Sequence, residues 1–509
     1  MHSSDGPAAS AGVFLLLLTL LVPAGCRSGS SAVNDAPVLR IGFGIGSSAK
    51  ETSLPALTDL LYAESLLTRE WDGRQTERLA TRWGWEEDGR TLRLELKDGV
   101  RLHDGARLTA PLVTRVLEGI VAQGRHRAAV GFEHVTGVEA IDDRTILIRL
   151  SQPDIFLLTA LSDRKIVHPD NADIGTGPFK LLTRKPNVET MRFDEYHAGM
   201  SPLGGVNIIT YDTSRSVWSA LMRGEIDAAQ EVSGDSVEFM ERSSNVRIYP
   251  SLQSFYVALV FNVRHGALRH PEVRRALSRA IDRDEILARA MRGRGQVASG
   301  PIWPMYWAYE PPPDAYAYAP HRTRAELDAA GFPLPSGGKQ GALRKRFTFR
   351  CLVYNEDPLY ERIALMVQRQ LFDLGVDMTI ELVGMDTFVD RAAAGDFDAF
   401  LMRINSGRSL DVTYRFWHSS VPGRTPLQNS GYTGADGVLD QLRVSTSDAA
   451  VRRSVSELAK RFYADAPAVF IAWLEVTRAI DASYAVGGNS SQDPFSNIWQ
   501  WRPTGEGGT

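Results

Sequence analysis

Cysteine is nearly absent from this chain, which has only Cys26 and Cys351 among 509 residues. Two cysteines cannot build a disulfide framework of the kind that holds small secreted domains together, and Cys351 has no partner if Cys26 is modified. Cys351 lies in an apolar strand pattern, which indicates a buried small hydrophobic side chain rather than a nucleophile. The chain is long enough for two lobes with separate hydrophobic cores.

Neither sign of charge dominates, and long apolar runs are scarce. Lys and Arg number 57 against 61 Asp and Glu, a formal net charge of −4, and the charges are interspersed. The sequence therefore has no cluster of basic residues of the kind that binds nucleic acid. The one long apolar run, Val13–Val22, is too short to span a bilayer core of about 30 Å but suits the hydrophobic region of a signal peptide. No later segment reaches transmembrane length.

Signatures of enzymes and metal sites are also missing. The sequence has no H-E-x-x-H, G-x-S-x-G or C-x-x-C, and among its ten histidines only His265 and His270 are close, at poor metal spacing. The Gly-rich loop Gly42–Ser48 matches neither phosphate-binding glycine motif, so it is a ligand-facing loop or a plain turn rather than a nucleotide site. We therefore predict no catalytic residue, no metal site and no cofactor.

The N-terminal segment predicts export. Pro23-Ala24-Gly25-Cys26 ends the apolar run and resembles the bacterial lipoprotein box, in which the cysteine is lipidated and becomes the new N-terminus. Pro23 stands where that box usually has Leu, so plain secretion and a retained anchor stay open as alternatives. Residues 1–26 are thus a signal peptide with a lipobox-like end, and residues 27–36 have the composition of a flexible tether.

Periodicity in the second half predicts parallel strands joined by a helix. Phe347–Val353 alternates apolar and polar side chains, an apolar stripe at helical spacing follows, and Gly375 ends it. Alternation resumes from Met378 to Leu382, so a right-handed β–α–β unit is expected. Asp396–Met402 is predicted to be a further buried strand. These patterns indicate an α/β protein.

The most informative segment is Leu94–Val113. It predicts a strand, turns at Lys97-Asp98-Gly99 and His103-Asp104-Gly105, and a helix with Thr109 as its N-cap. The segment resembles the pattern L-R-x-G-V-x-F-H-D-G-x-x-L-T-A-x-D-V of family 5 extracellular solute-binding proteins, the peptide- and nickel-type receptors of ATP-binding-cassette importers. Similar matches lie on both sides of this segment and occur in the order that the family has them. They are Leu60–Leu67, Leu79-Ala80, Trp83, Asp88-Gly89, Gly175–Leu182, Ala220–Ala228, Phe261-Asn262, Pro271–Ile286, Gly300-Pro301, Ala325–Phe332, Phe397-Asp398, Asn429–Leu442 and Asp465–Pro467.

The resemblance implies a two-lobe periplasmic-binding-protein-like α/β fold of class II, with an additional subdomain in the first lobe. The first lobe would comprise residues 37–262 and 480–509, with the subdomain within 54–174, and the second lobe residues 263–479. We expect the chain to cross between the lobes near Phe261–Val263 and near Trp473–Asp481. Closure of the lobes around a ligand would be a hinge motion.

The implied function is that of the substrate-binding component of an ATP-binding-cassette importer. It would capture a peptide or peptide-like solute between the lobes and deliver it to permease subunits, as a periplasmic or cell-surface monomer tethered to the membrane by lipid. A ligand-presenting sensor or a chaperone-like receptor of the same fold, not coupled to import, is the alternative. His103 and Asp104 look catalytic in isolation, yet they fall in a turn that the family keeps as structure.

Family members that bind peptides generally pair the free amine with an aspartate after the [FY]-D strand. In this chain that position falls on Gly407, and Asp411 is the candidate substitute; as the alternative, Asp411 is the N-cap of a helix over Val412–Trp417. Arg403 and Arg408 offer forked donors for carboxylate or phosphate, although Arg408 also suits a solvated loop. Trp417 is a ligand platform or, as the alternative, a core residue. Tyr354 and Asn355 are candidates because they follow the predicted strand Phe347–Val353, where α/β crevices accept ligands. Ser254 and Phe255 are candidates because they resemble a family segment near the cleft.

Overall fold

The computed structural model describes most of the chain beyond its N-terminal segment. The described residues are 36–45, 53–86, 89–124, 131–312, 316–335, 344–420, 429–487 and 492–505. The predicted signal peptide with Cys26, nearly all of the tether, Gly46–Ser48 of the Gly-rich loop and Asp88 lie outside them.

Helices and strands are interspersed along the chain, with several runs of consecutive strands in its first half. The helices are α1 Leu54–Tyr62, α2 Ala110–Gly124, α3 Phe156–Asp163, α4 Ser214–Met222, α5 Gly234–Met240, α6 Pro271–Ala280, α7 Arg283–Arg289, α8 Pro320–Ala329, α9 Pro358–Phe372, α10 Met385–Ala394, α11 Leu410–Trp417, α12 Asp436–Arg443 and α13 Asp448–Asp465, with 3-10 helices at Gly266–Arg269 and Pro494–Gln500. The strands are β1 Val38–Gly44, β2 Glu64–Ser65, β3 Leu67–Arg69, β4 Gln75–Glu77, β5 Ala80–Glu86, β6 Thr91–Leu96, β7 Val135–Ala140, β8 Thr145–Leu150, β9 Lys165–Ile166, β10 Phe179–Thr183, β11 Val188–Arg192, β12 Gly205–Tyr211, β13 Ala228–Ala229, β14 Val246–Phe261, β15 Gln296–Val297, β16 Phe347–Tyr354, β17 Val376–Val383, β18 Ala399–Asn405, β19 Ala468–Asp481, β20 Tyr484–Ala485 and β21 Arg502–Pro503.

One large mixed sheet organises these elements. Its strand order is β10-β11-β12-β1-β13-β19-β14-β18-β16-β17, and β15 joins the edge of β19. The long strands β14 and β19 pair antiparallel in the middle, with register shifts between Leu252 and Tyr256 and between Val257 and Ala258. β13 pairs with the Asp481 end of β19, whereas β18 pairs with the Phe261 end of β14. The two long strands therefore connect the N-terminal strands to the C-terminal ones.

The predicted β–α–β unit is confirmed. β16 and β17 pair in parallel from Phe347 opposite Val376, and α9 connects them. Gly375 has φ of +80° just beyond the helix, a conformation that favours glycine. The predicted strand Asp396–Met402 is displaced, because β18 begins at Ala399. Asp396 and Asp398 instead use their carboxylates before the strand, accepting from the Arg391 side chain at 2.9 Å and from the Arg350 N–H at 2.8 Å.

Several hydrophobic cores lie on this framework. The largest includes the second half of β14, the first half of β19, strands β16–β18 and helices α6, α9, α11 and α13. Cys351 is fully buried within it, as predicted, and burial raises the pKa of its thiol. Two smaller cores cover the N-terminal strands of the large sheet. The core of the four-stranded sheet β5-β6-β8-β7 with α2 and α3 is separate and draws on residues between Leu66 and Ile166.

The Leu94–Val113 segment has the predicted form and a structural role. β6 leads into turns with Gly99 at φ +74° and Gly105 at φ +90°, and α2 follows directly after Thr109. The His103 ring lies between two backbone groups of the Gly-Thr-Gly-Pro turn: its Nε2 is 2.9 Å from the Gly177 carbonyl oxygen, and its Nδ1 accepts from the Gly175 N–H at 3.3 Å. Burial lowers the pKa of His103, which favours the neutral ring.

Among the described residues, no helix combines the length and the hydrophobicity that a membrane span needs.

Candidate functional site

Several predicted site residues meet at one edge of the large sheet. β16 and β18 are parallel, so Tyr354 and Arg403 lie near their carboxyl ends at the same edge. The Arg403 guanidinium stacks 4.7 Å above the Phe255 ring, and the Ser406 N–H donates to the Ser254 carbonyl at 2.8 Å. Four of the predicted residues are thereby brought together: Ser254, Phe255, Tyr354 and Arg403.

Tyr354 and Asn355 differ in their surroundings. The Tyr354 hydroxyl donates to the Glu356 carboxylate at 2.5 Å, and burial together with Glu356 raises the pKa of Tyr354 to about 12. Tyr354 is therefore neutral and can act as a hydrogen-bond donor or acceptor near neutral pH. Asn355 is exposed just beyond the strand, and its N–H donates to the Val383 carbonyl at 3.1 Å.

A tight loop after β18 presents Arg408. Gly407 has φ of +66°, and its N–H donates to the Asn405 side chain at 2.8 Å. The Arg408 guanidinium then stacks 3.9 Å from the centre of the Trp71 ring. Position 73 requires glycine, because the Cβ of any other residue would collide with the Arg408 carbonyl oxygen. The loop and the segment around Trp71 are thus closely fitted, although they are far apart in sequence.

Asp411 is not an N-cap, which corrects one of the two predicted roles. Helix α11 begins at Leu410, so Ser409 is the N-cap residue and Asp411 lies in the first turn. The Asp411 carboxylate accepts from the Ser409 hydroxyl at 2.6 Å and lies 3.6 Å from the Arg415 guanidinium. It is also buried, with 5% exposure. This carboxylate is therefore engaged within the protein, which weakens its candidacy as an anchor for an amine.

Trp417 is a core residue in this structure, which corrects its assignment as a ligand platform. Its side chain has no exposed surface and lies among Tyr432, Phe462 and Phe470, with ring centroids 5.1 to 6.4 Å away. Its indole N–H donates to the Tyr256 hydroxyl at 3.0 Å. The amphipathic helix α11 turns this face inward, so no surface of Trp417 remains to face a solute.

A cavity of about 340 Å³ opens beside Arg408. Arg408 is the only predicted site residue in its wall. The rest of the wall comes from residues 60–78, from β9, from the start of β10, and from the C-terminal 3-10 helix with Gln492 before it. Its polar and aromatic lining includes Glu64, Ser65, Thr68, Arg69, Glu70, Trp71, Thr76, Glu77, Arg78, Lys165, Arg408, Gln492, Asn497 and Trp499. Within the described ranges, no three His, Cys, Asp or Glu side chains gather as metal ligands.

Sequence reasoning missed almost all of this wall, since its segments share no local pattern. Glu64 and Ser65 fall in the Leu60–Leu67 match, which looks like an ordinary helix with apolar periodicity. In the structure the helix ends at Tyr62, and Glu64-Ser65 forms the short strand β2 paired with β9. A charged residue inside this otherwise apolar run was the one available signal.

The innermost charge in the wall is Glu64, which is 3% exposed. Its carboxylate accepts from the Tyr196 hydroxyl at 2.9 Å and lies 2.6 Å from Arg78 Nε and 2.8 Å from His197 Nε2. Burial alone would raise the pKa of Glu64, but the contacts with His197 and Arg78 outweigh it and hold the pKa below its ordinary value. Glu64 is therefore an ionised and fully satisfied carboxylate.

A second buried ion pair supports the wall from the C-terminal side. The Arg478 guanidinium of β19 is 1% exposed and binds the Asp493 carboxylate at 2.6 Å. Asp493 also begins the 3-10 helix, accepting from the Phe495 N–H at 3.1 Å. Burial opposes ionisation, but Arg478 lowers the pKa of Asp493 below its ordinary value, and Arg408 contributes in the same direction.

Contacts between distant segments close the site. Trp303 donates its indole N–H to the Trp71 carbonyl at 2.8 Å, and Arg69 donates to the Ser409 hydroxyl at 3.0 Å. Farther away, the Arg443 guanidinium binds Asp154 at 2.6 Å and Glu133 at 3.0 Å. Residues predicted for the first lobe thus contact residues predicted for the second, as expected of a closed arrangement.

The chain matches the family described as bacterial extracellular solute-binding proteins, family 5 middle region, over residues 75–424. It is 26% identical over 419 residues to the probable D,D-dipeptide-binding periplasmic protein DdpA of Escherichia coli, covering 77% of this chain and 78% of that protein. Among solved structures, the substrate-binding protein CtaP of Listeria monocytogenes aligns with a TM-score of 0.77 at 21% identity, covering 92% of this chain and 100% of that one. NikZ of Campylobacter jejuni, solved with Ni(L-His), aligns with a TM-score of 0.72 at 21% identity, covering 91% and 99%.

These structural neighbours share the two-lobe α/β fold of class II that the sequence predicted. The family consists of solute-binding proteins rather than enzymes, and its members are periplasmic or extracellular. Because the family match covers more than half of the sequence, the chain belongs to the family 5 bacterial extracellular solute-binding proteins.

Proposed function

We propose that this protein is the substrate-binding component of an ATP-binding-cassette importer. It captures a peptide or peptide-like solute between two lobes and delivers it to the permease subunits of the membrane. The observation that carries this proposal is the cavity beside Arg408, whose walls come from segments assigned to both lobes. Its volume of about 340 Å³ is at the small end of the range of roughly 300 to 1,000 Å³ that is common for small-molecule sites.

The ligand class follows from the relatives and from the site together. The name of DdpA describes a dipeptide-binding protein, and NikZ was solved with a nickel–histidine complex. Both ligands are built from amino acids, which supports a small peptide-like solute for this chain. Arg408 lies in the cavity wall, and its forked guanidinium is of the kind that binds the carboxylate and carbonyl oxygens of such a solute.

The distribution of the cores supports a refined position for the lobe boundaries. Tyr256–Phe261 belong to the largest core, whereas Val246 belongs to a core on the N-terminal strands. Likewise, Leu474 and Ala479 of β19 belong to these two different cores. We therefore place the first crossing within β14, near residues 252–256 rather than near Phe261–Val263. We place the second within β19, near residues 474–476, which lie inside the predicted range Trp473–Asp481.

The lipid anchor, the monomeric state and the permease partner are part of the same proposal. A lipid on Cys26 would hold the receptor at high effective concentration near its transporter, as a linker does for joined modules. The mass of the protein tests this directly: lipid should be present on the wild type purified from membranes and absent from Cys26→Ser, and the lipid-free protein should behave as a monomer in size-exclusion chromatography. An unlipidated, processed wild type would mean plain secretion.

The test of capture uses the protein as purified. Native mass spectrometry before dialysis should detect a bound solute of peptide-like mass, and small-angle scattering should show that the protein expands when this solute is removed and compacts when it is returned. If neither a copurified nor an added solute compacts the protein, the proposed capture between lobes is wrong.

A further inference from the structure

We propose that the tip of the β3–β4 hairpin is a latch that holds the two lobes closed over the cavity. The tip, residues 70–74, connects β3 to β4 and lies in the segment predicted for the first lobe. It packs into a socket from the segment predicted for the second lobe, which we define as Trp303, Tyr306, Trp307 and Arg408. This inference rests on the proposed function and identifies the part of the first lobe that keeps the closed arrangement shut.

The base and the tip of the hairpin pack in different hydrophobic cores. Leu67, at the base, is fully buried in the core of the four-stranded sheet. Trp71, at the tip, packs instead against the largest core, where it makes a T-shaped contact with Trp303 with the ring centroids 5.4 Å apart. Trp303 in turn contacts the Trp473 ring of β19, at 5.5 Å. Separation of the two cores would therefore have to withdraw Trp71 from the socket.

Two hydrogen bonds fix the position of the main chain of the tip. The Trp303 indole N–H donates to the Trp71 carbonyl at 2.8 Å, and the Trp307 backbone N–H donates to the Asp72 carbonyl at 3.0 Å. Both donors lie in the socket, and both acceptors lie in the tip. The contact therefore has a defined geometry in addition to its apolar packing, and the Trp307 amide reports whether the tip is in place.

Cationic side chains extend the contact around Trp307. The Arg74 guanidinium lies 4.0 Å from the centre of the Trp307 ring, and that of Arg452, on α13, lies 4.8 Å from the same centre. Arg74 also reaches the Asp448 carboxylate at 3.2 Å, although both of these side chains are accessible to solvent. Solvent-accessible ion pairs and cation–π contacts are individually modest, so the tip can leave the socket reversibly.

The close fit of the tip depends on glycine at position 73. Gly73 has φ of +84°, and a Cβ there would collide with the Arg408 carbonyl oxygen and lie 2.6 Å from a carbon of the Tyr306 ring. Both neighbours belong to the socket rather than to the hairpin. The collision would therefore exist only while the tip is in the socket, whereas the strain of a positive φ would exist in either position.

The same hairpin forms part of the cavity wall. Thr68, Trp71 and Thr76 line the cavity together with Arg408, whose guanidinium lies 3.9 Å from the centre of the Trp71 ring. A tip that leaves the socket therefore moves one side of the cavity away from the other. Release of the latch and access of a solute to the cavity are thus parts of one movement.

The test compares Gly73→Ala with the wild type, as purified, by hydrogen–deuterium exchange and by small-angle scattering. In the wild type the Trp307 amide should exchange slowly, because it donates to Asp72. In Gly73→Ala the added Cβ should displace the tip. The Trp307 amide should then exchange about tenfold faster or more, and the radius of gyration should increase.

The matched control is Gly105→Ala. Gly105 has a comparable φ of +90°, and apart from its chain neighbours no atom of the described residues lies within 4 Å of the place that its Cβ would occupy. This variant therefore adds the backbone strain without a collision, and it should exchange and scatter like the wild type. If Gly73→Ala does not fold, Trp307→Leu takes its place, since it removes the ring that Arg74 and Arg452 contact.

The latch is wrong if the Trp307 amide already exchanges freely in the wild type, or if either the exchange or the radius is unchanged in Gly73→Ala. Equal changes in Gly105→Ala would also overturn it, because strain alone would then explain the effect. Capture has a separate readout, since a solute that compacts the protein would uphold it even if the tip is not a latch. Conversely, the exchange and scattering results need no solute and stand if none is found.

Discussion

At the scale of single residues, burial separates side chains that hold the fold from those that face the cavity. His103 and Trp417 are the most chemical-looking residues of their segments, yet both direct their polar atoms to partners inside the protein. Lys165 and Arg408 look ordinary in the sequence, yet they line the cavity. The chemical reactivity of a residue type is therefore a weaker guide to a role in ligand binding than the hydrogen-bond and packing partners of its side chain.

His103→Phe should lower the free energy of unfolding by about 1–3 kcal/mol, since it leaves buried backbone groups of Gly175 and Gly177 unsatisfied. Retention of the copurified solute should not change. Urea unfolding of both proteins measures the difference. A loss of solute without a loss of stability would instead give His103 a role in binding.

The same residue predicts a pH dependence. The folded-state pKa of His103 is lowered from 6.5, so the unfolded chain takes up a proton first as the pH falls. The contribution of His103 to stability is therefore complete above pH 6.5 and declines as the pH falls from there through the folded-state pKa. The stability difference between the wild type and His103→Phe should narrow over that range. A constant difference from pH 7.5 to pH 5 would contradict this account.

Trp417→Ala should cost about 3–5 kcal/mol of stability, the usual range for removing a large buried aromatic side chain. The variant also removes the donor that binds the Tyr256 hydroxyl. Chemical denaturation monitored by circular dichroism gives the measurement. A folded variant should still retain the copurified solute. If it loses the solute at unchanged stability, Trp417 is a ligand platform after all.

At the scale of elements, the C-terminal return is anchored to the large sheet by one buried ion pair. Arg478 extends from β19, and Asp493 begins the 3-10 helix Pro494–Gln500, which contributes Trp499 to the cavity. Such a pair is costly to break from one side, because the remaining charge stays buried. This pair therefore couples the position of one cavity wall to a central strand.

Asp493→Asn should destabilise the protein by about 3–5 kcal/mol, because Arg478 keeps its charge without a counter-ion. The lowered pKa of Asp493 means that the wild type keeps this contribution above pH 3.8 and loses it only as the pH falls below that value. Thermal unfolding at pH 7 is the measurement, with Asp386→Asn, an exposed carboxylate in the first turn of α10, as the control. Equal melting temperatures for the two variants would show that the pair is dispensable.

At the scale of the whole molecule, a buried ion pair far from the cavity joins segments predicted for opposite lobes. Asp154 and Arg443 are 0% and 7% exposed, and the Arg443 carbonyl also accepts from the Ile155 N–H at 2.8 Å. Burial raises the pKa of Asp154 to about 6 despite the opposing effect of Arg443, so the Asp154 carboxylate depends on Arg443 to stay ionised in this buried position. We therefore expect closure of the proposed lobes to be sensitive to this contact.

Arg443→Met should favour the open arrangement, because closure would bury the Asp154 carboxylate unpaired at a cost of about 3–5 kcal/mol. Small-angle scattering should give a larger radius of gyration for the variant without solute than for the wild type. Asp154→Asn combined with Arg443→Met should partly restore the wild-type value, and Arg453→Met, at an exposed arginine of α13, should leave it unchanged. An unchanged radius in Arg443→Met would remove this contact from the closure mechanism.

Much of the fold and little of the site could be predicted from the sequence. The β–α–β unit, the Leu94–Val113 turns and the buried Cys351 follow from periodicity and turn residues, which act within a few positions of the chain. Of the predicted site residues, Tyr354 and Arg403 meet because the parallel strands β16 and β18 end at the same edge. Ser254 and Phe255 join them because β14 pairs antiparallel with β18. Asp411 and Trp417 face inward instead, since the orientation of α11 depends on what packs against it.

The sequence by itself determined the family, the α/β class and the absence of catalytic signatures, because these depend on local patterns and their order. Only the tertiary structure decided which charges share a cavity. Lys165, Arg408 and Trp499 come from three distant segments, and each is unremarkable among its sequence neighbours. Long-range packing decides whether a charged side chain is solvated, paired within the protein or in contact with a ligand. The spacing of residues along the chain does not show how far such a side chain is removed from water.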